Sequence, residues 1–388
     1  MGERGAAPLS GVLEDDVQNI SLSLIGRPPE DMERAAVNVI ALSRQGKEER
    51  RALAEEGVIH SLTIMCSREF TAKTQAKGAL GLAALCSNFS ANMDDSKMYV
   101  EAAAQQEALN RGAVTLITPI LTAWQPDAQA AAANALADLS FRNAEVRRAM
   151  FNMDACRPLV NLLHSENMDV HKAALTALRS WAVEAKNAKE IEDRPGALSQ
   201  VCKLIVTSDK AEVKARALSL LWMLAGSDSA KVKICKEDGG KVLKECAACL
   251  KSSDQHVKAA AVALIRRITT NNAPVGEEKS PVAQLFDLGA HMELVTALRN
   301  QDEAVKLNCL GALRCIAQHK PEATNVVSNA GDLVRTLEQM AKKRARSKKG
   351  DAVATRASQL LKALGVESAG ADLLGAGTDP LAGMQQHV

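Results

Sequence analysis

The residues in this chain best suited to chemistry are its thiols, imidazoles and clustered cations. Cys246-Ala-Ala-Cys249 has the CxxC spacing of zinc ligands and redox pairs. No second CxxC stands nearby, and His256 is the only close histidine, so four zinc ligands are not assembled. On a helix the same spacing simply puts both thiols on one face. The seven histidines are dispersed, with no recognisable partner spacing. No GxxxxGK[ST], GxGxxG or HExxH occurs, nor a GxSxG nucleophile elbow. The expectation is a chain that is not an enzyme and takes no cofactor, metal or small-molecule substrate.

Two charged segments could address other molecules. Lys342-Lys-Arg-Ala-Arg-Ser-Lys-Lys349 is a basic run that reads either as a nuclear-import signal or as a solvated loop. It has no interleaved aromatics, so base stacking is not indicated. Asp372-Leu-Leu-Gly-Ala-Gly-Thr-Asp-Pro-Leu381 mixes acidic and leucine residues, as short linear motifs do, and reads first as incidental composition.

The elements that position these groups follow from composition. Of 388 residues, 47% are hydrophobic and 24% charged, enough apolar surface for a folded protein. Aromatic residues are only 2%, with one tyrosine, Tyr99, which disfavours sheet. Alanine and leucine dominate, and both favour helix. A net charge of +2 argues for neither nucleic-acid nor membrane binding by the chain as a whole. No apolar run reaches the roughly 20 residues that span a bilayer, and Met1–Pro8 lacks a signal-peptide core. The expected location is the cytosol, with the nucleus as a second compartment. Cysteines such as Cys86, Cys202, Cys309 and Cys315 sit among apolar residues and read as small buried hydrophobes.

A small residue opening an apolar stretch recurs at Gly57, Gly112, Ala155, Gly196, Gly240, Gly289 and Gly331. The spacings are 55, 43, 41, 44, 49 and 42 residues. Four of these fall near the period of about 40–47 residues of helical repeat arrays. A longer apolar-periodic element follows each opening, as in residues 132–140, 173–182, 260–268 and 310–317. Asp127, Asp209, Asp254, Asp302 and Asp351 precede these elements and read as helix N-caps. A shorter helix comes before each opening, as at residues 145–152.

This unit of a short helix, a glycine-led second helix and a long third helix resembles the armadillo repeat. The resemblance implies an all-α fold, a right-handed superhelix of armadillo-type three-helix repeats. Seven repeats are expected over residues 48–365, after an N-terminal segment, 1–47, whose helix at 32–44 is a partial capping repeat. Residues 366–388 read as a disordered tail. Segments 89–105 and 271–280 read as insertions, either binding loops or tolerated surface length.

The resemblance further implies that stacked third helices form a concave binding face. In importin-α-like members this face carries a Trp and Asn ladder that grips extended peptides. The matching positions here hold Ala84, Asp138, Ser180, Met223, Arg267, Cys315 and Ala363, and Leu80, Asn134, Thr176, Ser219, Ala263, Gly311 and Gln359. Neither ladder is present, which counts against import by that mechanism and favours a folded or helical partner. The candidate protein-binding residues are Asn134, Asp138, Arg142, Thr176, Ser180, Glu184, Arg267 and His319, on the expected exposed stripe of their helices. Trp124 and Trp222 read as binding anchors or as core residues. The expected function is a non-catalytic protein–protein interaction scaffold of unknown partner. The alternative is a chaperone-like or nuclear-transport adaptor of the same family.

Overall fold

The structure is a computed structural model that describes residues 11–87, 99–270, 280–318, 321–344 and 352–366. Among these residues every regular element is helical, and no helix is long and apolar enough to cross a membrane. Seven successive triplets of helices follow a leading pair, Gly11–Ser23 and Pro29–Ser43. The long third helices carry the surface of interest and are labelled in chain order, with Pro29–Ser43 as α1. They continue as α2 (Ala72–Cys86), α3 (Pro126–Ser140), α4 (Met168–Trp181), α5 (Ala211–Leu224), α6 (Gln255–Thr269), α7 (Glu303–Ala317) and α8 (Ala352–Ala363).

The turn before each second helix needs one residue in the left-handed region, which glycine, lacking a Cβ, adopts most readily. Gly57, Gly112, Gly196, Gly240, Gly289 and Gly331 all have φ between 55° and 82°. In the third triplet, where Ala155 opens the second helix, Asp154 takes this conformation at φ 48° instead. The second helix of the second triplet changes from α (Ala113–Ile117) to 3-10 (Thr118–Thr122) at Pro119, which has no N–H to donate.

The chain forms two units, Met1–Asn187 and Ala188–Val388. In the first, α1 to α4 lie side by side in order. Alanines of α3 from Ala130 to Ala133 are at most 8% exposed, so backbones approach closely. Gly78 of α2 permits the tightest approach: a Cβ there would lie 2.7 Å from Met65 Cβ and 2.8 Å from the Leu62 carbonyl oxygen. In the second unit, α5 to α8 are likewise consecutive neighbours. Leu218, Leu221, Leu264, Ile265, Leu313 and Leu360 fill its interior.

The caps are more varied than the aspartate pattern suggested. Asp254 accepts hydrogen bonds from the amides of His256 and Val257 at 2.8 and 3.0 Å, and Asp302 caps α7 in the same way. Asp127 instead sits inside the first turn of α3 after Gln125, and Asp209 precedes the N-cap Lys210. Asp351 lies outside the described residues. Asn143, Asn167, Thr71, Ser227 and Ser280 supply side-chain caps that the pattern did not include.

Part of the segment read as an insertion at 89–105 is helical, because the first helix of the second triplet is Tyr99–Asn110. Residues 89–98, nearly all of 271–280 and nearly all of the 366–388 tail lie outside the described residues. Of the basic run, Lys342–Arg344 complete the helix Leu333–Arg344, and the rest lies outside the described residues.

Candidate protein-binding surface

Within each unit a third helix buries one side against its own triplet and packs against the adjacent third helices, leaving a narrow stripe partly exposed. On α3 this stripe holds Asn134 and Asp138, both half-buried between buried alanines and leucines. One helical turn separates them, so they sit one above the other. Burial pushes the Asp138 carboxyl up to about 7, because ionisation there lacks the solvation it has in water. Gln105 closes the end of α3, donating its Nε2–H groups to the carbonyls of Asp138 and Phe141 at 2.8 and 3.0 Å.

On α4 the stripe holds Thr176 and Ser180, both half-buried. The Thr176 hydroxyl donates to the Lys172 carbonyl at 2.7 Å. Two expected stripe residues lie elsewhere. Arg142 stands in the turn after α3, in the left-handed region at φ 55°, with its guanidinium 5.6 Å from the Phe141 ring centre. Glu184 follows the end of α4 and accepts from Arg147 Nε at 2.9 Å. Arg147 also donates to the Ser140 carbonyl at 2.9 Å, and the Trp181 indole N–H donates to the Arg147 carbonyl at 3.1 Å. Glu184 therefore belongs to a framework that ties α3 to α4. The ends of α3 at Ser140 and of α4 at Trp181 put both residues off the stripe, which helical spacing alone did not register.

In the second unit Arg267 of α6 is half-buried, and burial lowers its pKa. Its Nε donates to the Ala225 carbonyl at 3.2 Å, and its guanidinium lies 5.1 Å from the Trp222 ring centre. The two residues, singled out separately in the sequence, form one cation–aromatic unit bridging α5 and α6. His319 lies outside the described residues. Trp124 is 86% exposed in the turn before α3, so it is not a core residue.

The CxxC thiols Cys246 and Cys249 are both buried. Burial pushes Cys249 up to about 11, and Cys246 goes well above the ordinary thiol value for the same reason, with the neighbouring Cys249, Cys202 and Cys235 adding to the rise. Thiols held protonated in this way pack as hydrophobes and are poor nucleophiles. Among the described residues no group of three or more His, Cys, Asp or Glu is placed to hold a metal ion.

Stacked three-helix units with a left-handed turn before the second helix define a helical-repeat protein whose two units each carry a row of third helices. Residues 143–180, the third triplet, match the family model of the armadillo/β-catenin-like repeat. No curated protein matches the chain. Among solved structures, an engineered protein is similar at 22% identity, with 90% of this chain and 88% of that one covered and a TM-score of 0.63. A designed armadillo repeat protein in complex with the peptide (KR)4 is similar at 23% identity over 65% of this chain and 99% of its own, with a TM-score of 0.53. A structure from work on the interaction between cadherin and β-catenin is similar at 17% identity over 90% of this chain and 64% of its own, with a TM-score of 0.65. Residues 143–180 thus match an armadillo repeat, and the chain shares the all-α solenoid fold of the armadillo-repeat structures it resembles.

Proposed function

We propose that this chain is a non-catalytic scaffold that holds protein partners on the faces that the third helices line in each of its two units. The observation that carries this reading is the stripe itself. Asn134, Asp138, Thr176, Ser180 and Arg267 remain half-exposed on helices whose other sides are buried, so polar groups are set at fixed positions on rigid elements. Recognition groups held this way bind with little loss of side-chain freedom. The similar designed protein holds a peptide, and the similar β-catenin structure concerns cadherin, which supports a polypeptide as the ligand. This reading includes a cytosolic or nuclear location, which a fluorescent fusion would locate directly.

Affinity capture from lysate, followed by mass spectrometry, tests the reading. Asp138→Lys and Arg267→Glu should each reduce recovery of the captured proteins while the far-ultraviolet circular dichroism stays helical. Unchanged recovery with both variants would exclude the third-helix face. Recovery of importin-β would specify a transport adaptor, and recovery of Hsp90 or myosin a chaperone.

A further inference from the structure

Away from the third-helix stripe, the first unit carries a second row of side chains in register. It lies in the turns that lead from second to third helices. The residue just before the N-cap is Phe70 for α2, Trp124 for α3 and Glu166 for α4. Trp124 is 86% exposed, Glu166 is exposed and Phe70 is half-buried. Because α2, α3 and α4 lie side by side, the three residues stand in order along one rim.

An apolar residue at this place often packs on an apolar side chain at the fourth position of the helix. Here that position holds Gln75 in α2, Gln129 in α3 and His171 in α4. All three reach back to the turn instead. Gln75 Nε2 donates to the Ser67 carbonyl at 2.8 Å, and Gln129 Nε2 donates to the Ala123 carbonyl at 2.6 Å. His171 hydrogen-bonds the backbone at Ser165 and Leu163. These bonds brace the turns, so the Trp124 ring stands in water on a rigid support. Its burial against a partner would be favourable. Among the described residues, nothing takes up the Trp124 indole N–H, and no cation pairs with Glu166 or with the exposed Asp127 beside Trp124.

Three modes of holding a polypeptide compete for such a rim. Strand addition needs a sheet edge, and every regular element among the described residues is helical. A docked helix needs a continuous apolar groove, but Arg68, Glu69 and Gln125 interrupt the rings with polar groups. A polyproline helix needs spaced aromatic faces and donors for its unbonded carbonyls, and both are present. Its period also fits. Three residues of about 3.1 Å make a turn of about 9 Å, and side-by-side helices lie about 8–10 Å apart.

We propose that this rim binds a proline-rich segment of a partner protein that ends in a basic residue. One proline packs on Phe70, a second, one turn on, packs on Trp124, and an arginine or lysine one turn further meets Glu166. The indole N–H donates to a peptide carbonyl, and Asp127 adds to the attraction for the basic end. The site lies off the third-helix face, so it goes beyond the scaffold reading and does not depend on it.

The test measures binding of a fluorescein-labelled peptide, a run of prolines closed by two arginines, to the full chain by anisotropy. One labelled control ends in two glutamates, and another replaces the prolines by glycine and serine. The first peptide should bind in preference to both. Trp124→Ala, at a ring outside the core, should weaken it at least about tenfold. Glu166→Lys should weaken it too and turn the preference towards the glutamate-ended peptide, a reversal that loss of folding cannot produce. Asn134→Ala and Arg267→Glu, on the third-helix stripes, should leave it unchanged. Equal binding of the glycine–serine control shows that charge alone is read, and overturns the proposal. So does indifference to Trp124→Ala, or loss of binding in the third-helix variants, which moves the peptide to the other face. Absence of peptide binding also overturns it, and a dimer in sedimentation that Trp124→Ala dissolves would then assign the rim to a second copy of the chain.

Discussion

Asp138 is a carboxyl group held among the alanines and leucines of α3, and its protonation couples the first unit to pH. In the folded chain it keeps its proton up to about pH 7, against an ordinary value of 3.8. Between these values the folded state binds more protons than the unfolded one, so stability falls as pH rises and levels off above 7. Asp138→Asn should abolish that slope and raise stability at pH 8 by about 1–3 kcal/mol, read from urea denaturation at several pH values. A partner that requires the Asp138 charge should bind more tightly as pH passes upward through neutrality. The sequence placed Asp138 on the stripe through helical spacing. Its perturbed titration was not legible there, because helical spacing places a side chain on a face but does not give the degree of its burial in the packed chain. Arg142 and Glu184 show the same limit from the other side. Their spacing fits the stripe, but the helices end at Ser140 and Trp181, and Glu184 is taken up by Arg147.

Within an element, the repeat is a set of close approaches and capped ends. Gly78→Ala should cost about 1–3 kcal/mol, because the new Cβ meets Met65 Cβ and a Leu62 backbone oxygen that cannot swing away. Thermal unfolding by circular dichroism would measure it. Asp254→Ala removes the side chain that accepts from His256 and Val257, for a loss of about 1 kcal/mol. Asp209→Ala should be nearly neutral, since Asp209 lies outside the N-cap of α5 and is exposed. The opening glycines were legible because a left-handed turn favours one residue type. Asp154 was hidden, since it fills the same role with a side chain that gives no such signal.

Across the whole chain, triplets can bury their apolar sides only against neighbours, so the first needs a cover. Helix Gly11–Ser23 provides it: Val17 and Leu24 beside it are each 1% exposed, and the Ser21 hydroxyl donates to the Glu56 carbonyl at 3.2 Å. Deleting residues 11–27 should lower the melting temperature by several degrees and increase binding of a hydrophobic dye. The sequence reading recognised a leading helix near Met32–Arg44 but not this earlier one, whose polar residues blur the helical period. The recurring openings were legible, and six of the seven are glycines in the left-handed region. The rim of Phe70, Trp124 and Glu166 was not, because only the helix starts bring these residues into register.

The three tryptophans differ so much in surroundings that they act as built-in optical reporters. Trp181 is sealed inside the first unit, Trp124 is almost fully in water, and Trp222 lies under a guanidinium on the second unit's third helices. Emission from Trp181 should shift to the red when the first unit unfolds, while Trp124 emits at long wavelength throughout. With Trp124 and Trp181 replaced by phenylalanine, the remaining indole would signal occupancy of that face through changes in its quenching, without any attached dye.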